Sequence, residues 1–100
     1  MSDSPIILNV HMEAVAGREK DLENQLRALV APTRSEPGCL AYELHRDPEC
    51  PGKFMFFEKF RSQAALDEHV ASGHFKNFLD YRAKSDPVAL TNVTKWQTIV

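Results

Sequence analysis

Apolar and polar residues alternate along the first part of the chain, where every even-numbered position from Ile6 to Met12 is apolar. This period of two predicts a half-buried strand over Ile6–Glu13. After Gly17 the spacing lengthens, with leucines at 22, 26 and 29, and this pattern predicts a helix over Arg18–Arg34. Pro37 and Gly38 are expected to end that helix.

The rest of the chain predicts a hairpin, two helices and a last strand. Two strands, Cys39–Arg46 and Lys53–Phe60, flank the turn-rich segment 47–52 and are expected to pair. The remaining predicted elements are a helix capped by Ser62 and ending near Val70, a helix from Ser72 or Gly73 to Lys84, and a strand over Ala89–Val100.

This order of elements predicts an α+β fold of the ferredoxin-like split βαβ type, with helices on one face of an antiparallel sheet. No linker or low-complexity tract interrupts residues 5–98, which we therefore predict to form one domain. The strand Lys53–Phe60 is largely apolar on both faces. Because the helices cover only one face, a second copy of the chain is expected to cover the other, giving a homodimer.

Composition excludes several classes of protein. The net charge is −2 with acidic and basic residues interspersed, so no nucleic-acid partner is expected. The segment Met1–Pro5 lacks the features of a signal peptide, and no apolar run is long enough to span a membrane, so a cytoplasmic location is expected. Cys39 and Cys50 are expected to be free thiols, and no cysteine or histidine spacing predicts a metal site.

The strongest candidate for chemistry is a carboxylate and imidazole pair. Glu58 lies in the aromatic strand Phe54–Phe60, where a buried carboxylate is costly without a partner. His69 shares a predicted helix face with Ala65 and Leu66, which directs it inward. We predict that Glu58 orients or charges His69 so that the imidazole can act as a base or as an anion-stabilising donor; the alternative is a purely structural pair.

Further polar contacts to a ligand are expected from Tyr42, His74 and Asn9, each of which also has a structural interpretation as a core, cap or strand residue. Aromatic side chains are numerous enough to line a cavity, although most of them are expected to belong to the core. These aromatic residues are Phe54, Phe56, Phe75, Phe78 and Trp96.

Three segments in this order, Pro37–Leu44, Phe57–Phe60 and His69–Phe75, resemble the antibiotic biosynthesis monooxygenase family, especially its small quinol monooxygenase-like members. The resemblance implies a dimeric α+β barrel with a pocket between sheet and helices in each subunit. It also implies oxygenation of electron-rich aromatic substrates by dioxygen without flavin, haem or metal. Other relatives isomerise a phosphorylated sugar or degrade haem, so the fold alone does not fix the reaction.

These observations together predict a cofactor-independent monooxygenase that oxidises a small quinol-like or polyphenolic substrate with dioxygen. The predicted catalytic residues are His69 and Glu58, and the predicted substrate contacts are Tyr42, His74, Asn9, Phe56, Phe75 and Phe78. Two alternatives remain open: an isomerase that moves a proton between these groups, and a dimeric module that binds a small ligand without turnover.

Overall fold

Four strands and three helices follow one another along the chain in the predicted order. The structure is a computed structural model, and it describes residues 4–100. The elements are β1 (Ile6–Ala14), α1 (Glu19–Arg34), β2 (Cys39–Asp47), β3 (Cys50–Phe60), α2 (Gln63–Val70), α3 (Gly73–Lys84) and β4 (Val88–Gln97). The N-terminal residues 1–3, which contributed to the predicted location, lie outside the described range. No helix within that range has the length and hydropathy to cross a bilayer.

The strands form one antiparallel sheet in the order β2-β3-β1-β4, which confirms the predicted ferredoxin-like fold. The register of β1 follows its alternating pattern. Val10 and Met12 are buried beneath the helices, whereas Asn9 and His11 point to the opposite side, which we call the outer face. The outer face also carries the half-buried Phe57, which is paired with Asn9.

The hairpin between β2 and β3 is tighter than predicted. β2 continues to Asp47 and β3 begins at Cys50, so only Pro48 and Glu49 separate them. Asp47 Oδ1 accepts a hydrogen bond from the Glu49 backbone N–H at 2.8 Å, and this contact closes the turn early. Cys39 and Cys50, both free thiols, lie at opposite ends of the hairpin.

Helix α1 passes through Pro32 and ends at Arg34. Beyond it, the backbone N–H groups of Ser35 and Glu36 donate to the Ala31 and Thr33 carbonyl oxygens at 3.2 and 3.0 Å. These bonds keep the chain wound for two residues past the helix. As a result, the Glu36 side chain is held where it contacts His69 and His74 rather than in a free loop.

Helix α2 packs unusually close to the connection between α1 and β2. Gly38 is buried there, and a Cβ at this position would overlap the Ala65 Cβ. Gly38 is thus required for the approach of the two backbones rather than for a special φ angle. Because His69 lies one turn after Ala65 on the same helix face, this approach brings its ring toward Glu36.

Two serines cap the helices that follow β3. Ser62 Oγ accepts from the Ala65 N–H at 3.2 Å, as predicted, and Ser72 Oγ accepts from the Phe75 N–H at 3.3 Å. Ser72 Oγ also donates to the His69 carbonyl oxygen at 2.6 Å, so a single side chain links the end of α2 to the start of α3.

Candidate active site

A cavity of about 260 Å³ lies between the sheet and the three helices. Its polar lining is sparse, and aliphatic and aromatic side chains make up most of its wall. The structure brings six of the eight predicted site residues to this cavity: Tyr42, Phe56 and Glu58 from the sheet, and His69, Phe75 and Phe78 from the helices. Phe54 and Trp96 do not line it.

Glu58 is buried in the floor of the cavity with no partner for its charge. It is 4% exposed, and none of the described residues donates a hydrogen bond to its carboxyl group. Its cross-strand neighbours are Leu8 and Tyr42. Burial, followed by the charge of Glu36, raises the pKa of Glu58 to about 7. Near neutral pH this carboxyl group can therefore both donate and accept a proton.

His69 lies in the opposite wall, and its two ring nitrogens have different surroundings. The side chain is 1% exposed and is enclosed by the rings of Phe60 and Phe75, with centroid distances of 5.1 and 5.0 Å. Nδ1 lies 2.9 Å from Glu36 Oε2, whereas Nε2 is buried and has no hydrogen-bond partner within residues 4–100. An unpaired ring nitrogen in a residue that lines a cavity is a candidate contact for a ligand.

The hydrogen-bond partner of His69 is Glu36, so the prediction that Glu58 orients His69 is wrong. Both predicted residues reach the cavity, but they lie in facing walls. Sequence reasoning assigned Pro37 and Gly38 to the end of α1 and overlooked the glutamate just before them. The available signal was that Glu36 immediately precedes the Pro-Gly pair that brings the chain back under α2.

His74 and Asn9 do not reach the cavity. His74 Nε2 lies 2.6 Å from Glu36 Oε2 and 3.1 Å from Ser72 Oγ, so it contacts the partner of His69. Asn9 lies on the outer face, because the register places it opposite Phe57 and Thr94. Strand alternation could have assigned Asn9 to that face once Leu8 and Val10 were taken as inward-facing.

Glu36, His69 and His74 are also the one group of side chains in residues 4–100 with donor atoms close enough to suit a metal ion, all within 4.8 Å of one another. Two imidazoles and a carboxylate are common ligands of divalent transition metals. These side chains also form hydrogen bonds with one another. Both imidazoles contact the same carboxylate oxygen of Glu36, at 2.9 and 2.6 Å.

Tyr42 lines the floor of the cavity as the cross-strand neighbour of Glu58, and its hydroxyl group lies near Thr33 of α1. Its ring packs against Phe56 with the centroids 4.6 Å apart. Burial, followed by the nearby charge of Glu58, raises the pKa of Tyr42 above its usual value. The phenol therefore stays protonated at neutral pH and can donate a hydrogen bond to an oxygen atom of a ligand.

One side of the cavity opens beside β4. Val70, Leu79 and Val93 line it there and are 47%, 44% and 53% exposed. Arg82 also lies at this mouth, where its guanidinium group contacts the Asp86 carboxylate at 3.0 and 3.2 Å. The entrance is therefore mainly apolar, and its one cation already has an anionic partner.

Comparisons with known proteins identify the family of this chain. The family model described as antibiotic biosynthesis monooxygenase matches residues 5–81. The Mycobacterium tuberculosis protein named "Putative monooxygenase Rv0793" is 42% identical over 71 residues, which are 66% of this chain and 66% of that protein. The Synechocystis protein sll1783 is 28% identical over 98% of this chain and 69% of its own length.

Solved structures show the same similarity. PA3566 from Pseudomonas aeruginosa superposes with a TM-score of 0.90 at 34% identity, covering 97% of this chain and 96% of that one. The structure of Rv0793 superposes with a TM-score of 0.88 at 28% identity, covering 97% of both chains. Since the family model covers most of the chain, the chain belongs to the antibiotic biosynthesis monooxygenase family.

Proposed function

We propose that this protein is a cofactor-independent monooxygenase that oxidises a small quinol-like or polyphenolic aromatic substrate with dioxygen. Family membership supports a monooxygenase-type activity. The observation that carries the finer proposal is the unpaired Nε2 of His69 in the wall of a largely apolar aromatic cavity. Such a group is placed to take a proton from a phenol.

The lining of the cavity supports an aromatic substrate. Phe56, Phe75 and Phe78 offer ring surfaces against which a flat molecule can stack. A volume of about 260 Å³ lies just below the usual range for ligand pockets, which favours a substrate of one to three fused rings over a larger one. Dioxygen is apolar and partitions into the same surroundings.

The proposed reaction begins with proton loss. His69 Nε2 accepts the phenolic proton, and the resulting electron-rich anion transfers an electron to dioxygen. For an anthrone-type substrate, a ring CH₂ becomes a carbonyl, one oxygen atom remains in the product and the other leaves as water. The substrate itself supplies all four electrons, so the overall equation needs no external reductant.

Glu58 and Tyr42 stabilise the anion in this proposal. Because the pKa of Glu58 is about 7, a large fraction of this carboxyl group is protonated near neutral pH. The protonated carboxyl group can donate a hydrogen bond to the developing oxyanion. The Tyr42 hydroxyl offers a second donor from the same floor. Both donors lie in low-dielectric surroundings, where a hydrogen bond to an anion is strongest.

One observation also favours a second function, proton transfer without oxygen. His69 and Glu58 lie in facing walls of one cavity, and an isomerase that removes a proton on one side and returns it on the other needs this arrangement. Oxygen consumption separates the two functions, because isomerisation consumes none.

We further propose that a second copy of the chain covers the outer face of the sheet. Ile7, Met55 and Phe57 are only half-buried there, and Trp96 is 57% exposed. An apolar face of this kind on a small domain is typical of a subunit interface.

The test is oxygen uptake by chelator-treated protein with a panel of quinols and anthrone-type phenols, comparing wild type with His69→Asn. Asparagine can still donate to Glu36 from the position of Nδ1 but lacks Nε2. We expect uptake above autoxidation in the wild type and a fall of roughly 10²-fold or more in the variant. His45→Asn, an exposed histidine on β2, is the matched control and should keep full activity.

Equal uptake by the wild type and His69→Asn would exclude His69 as the base. Substrate turnover without oxygen uptake would favour the isomerase instead.

A further inference from the structure

The hydrogen bonds behind His69 lead from the cavity toward the surface. His69, Glu36 and His74 have side chains that are 1%, 14% and 22% exposed, respectively. Glu36 Oε2 meets both imidazoles, and neither Glu36 nor His74 lines the cavity. The carboxylate therefore contacts the back of the His69 ring, on the side away from a substrate.

Donor and acceptor rules fix where the protons lie in this cluster. A carboxylate can only accept, so the hydrogen bond to Glu36 places a proton on His69 Nδ1. Ser72 donates its hydroxyl proton to the His69 carbonyl oxygen, so both polar neighbours of His74 Nε2 are acceptors and this nitrogen also carries a proton. His69 Nε2 is then left with a free lone pair.

We propose that Glu36 is a positioning residue that holds His69 in the Nδ1–H form, and that His74 holds Glu36 in place. This inference rests on the proposed function only for the identity of the reaction. When Nε2 takes a proton from the substrate, the ring becomes an imidazolium, and the adjacent Glu36 carboxylate stabilises its charge. The carboxylate itself takes no part in bond changes.

The unsatisfied second oxygen of Glu36 supports a role beyond packing. Glu36 Oε1 is buried and has no hydrogen-bond partner in the part of the chain that the structure describes, so the carboxylate is held there through Oε2. A residue that served only to join α2 and α3 to the rest of the fold could be replaced by an apolar side chain without this cost. The geometry favours orientation of the ring over general stability.

The first experiment measures kinetics of Glu36→Gln. Glutamine keeps the size and an acceptor oxygen, but it carries no charge to neutralise an imidazolium, and its amide N–H can donate to a bare ring nitrogen. We expect kcat to fall by roughly 10²-fold while KM stays within about twofold, because Glu36 does not line the cavity. Glu68→Gln is the matched control, since Glu68 is an exposed glutamate on α2 next to His69 in the sequence and does not line the cavity.

The second experiment separates the two imidazoles through conservative replacement. His74→Gln retains an N–H donor near the position of Nε2, whereas His74→Phe removes it. We expect the glutamine variant to keep most of the wild-type kcat and the phenylalanine variant to lose about tenfold. Equal losses in the two variants would overturn the proposed role of His74.

The third experiment does not depend on activity. Nitrogen-15 NMR of the imidazoles should show His69 protonated at Nδ1 and bare at Nε2 in the wild type, and a mixture of forms in Glu36→Gln. A wild-type His69 protonated at Nε2 would overturn the inference. So would a stoichiometric bound metal whose removal by chelator shifts these resonances, because a cation would then replace the two protons.

If the wild type turns over no substrate but shows the Nδ1–H form that Glu36→Gln loses, the proposed reaction fails and the assignment of Glu36 stands. If substrate is oxidised but Glu36→Gln has wild-type kcat, the reaction stands and the assignment fails.

Discussion

Two buried glutamates in this small protein have opposite surroundings. Glu23 on α1 is 8% exposed, and its carboxylate contacts Arg27 at 2.7 Å and Arg46 at 2.9 Å. Glu58 on β3 is 4% exposed and has neither a cation nor a hydrogen-bond donor among the described residues. The hydrogen bond from Arg27 lowers the pKa of Glu23, whereas burial raises the pKa of Glu58 to about 7.

The difference shows where the fold satisfies a buried charge and where it does not. Arg46 on β2 reaches Glu23 on α1, so one ion pair joins helix to sheet. Lys95 lies in the same cross-strand row as Glu58, but Leu8 separates the two residues. The Lys95 ammonium group instead donates to the Gln63 side-chain oxygen at 2.6 Å. A carboxyl group left without a partner in a cavity is a stronger indication of function than one that is paired.

The most direct test of the contrast between Glu58 and Glu23 makes the same substitution at both residues. Glu58→Gln should lower kcat by roughly 10²-fold, because an amide N–H is a much weaker hydrogen-bond donor to the developing oxyanion than a carboxylic acid. Glu23→Gln should leave kcat unchanged and lower the melting temperature, because two arginines lose their partner. Oxygen uptake and thermal unfolding of the two purified variants provide the measurements.

A loss of activity in Glu23→Gln with none in Glu58→Gln would reverse this assignment.

The dependence of stability on pH should have opposite signs at the two sites. Glu58 binds its proton more tightly in the folded state, so the free energy of unfolding should fall as pH rises from about 4.5 to about 7, by at most about 3 kcal/mol. Glu23 has a lowered pKa, so its contribution to the free energy of unfolding is fully present above about pH 4.5 and is lost on further acidification.

Urea unfolding of wild type, Glu58→Gln and Glu23→Gln across this pH range checks both signs. The Glu58 variant should lose the decline toward neutral pH, and the Glu23 variant should lose part of the decline toward acid. Parallel curves for all three proteins would contradict both assignments.

A third prediction tests whether the site depends on the close approach at Gly38. Gly38→Ala should lower the free energy of unfolding by about 1–3 kcal/mol, because the new methyl group overlaps Ala65. The added substitution Ala65→Gly should restore much of this loss. The ion pairs of Glu23 lie elsewhere and should not change, so denaturant unfolding of the single and double variants sharpens the contrast between the two regions.

The smallest expected effect concerns Tyr42, the cross-strand neighbour of Glu58. Tyr42→Phe should raise KM roughly fivefold, the equivalent of about 1 kcal/mol for one neutral hydrogen bond. The ring contact with Phe56 should be retained, so thermal stability should stay close to that of the wild type. An unchanged KM in steady-state oxygen uptake would show that the hydroxyl group does not contact the substrate.

The fold could be predicted from the sequence because local patterns determine it. The alternation over Ile6–Glu13 and the leucine spacing in α1 each correspond to one face of one element, and the order of elements then restricts the topology. The hairpin was predicted too wide because Pro51 and Gly52 are typical of turns, whereas the Asp47 side chain closes the turn before them.

The site was predictable only in part, because it depends on long-range packing. His69 and Glu58 could be placed in the interior from helix spacing and from an aromatic strand. The contact between His69 and Glu36 joins residues 33 positions apart, and it requires the Gly38 approach, which no periodicity encodes. Asn9 was assigned to the site because the face of its strand was left open.

The chain contains a single tryptophan, and its position gives the outer face an optical signal of its own. Trp96 is 57% exposed and lies across from Ile7, away from the cavity. Its fluorescence should therefore report on whatever covers that face and should be insensitive to a ligand that fills the cavity. Emission near the wavelength of a solvated indole at high dilution, shifting to the blue as concentration rises, would follow the pairing of two sheets without any label.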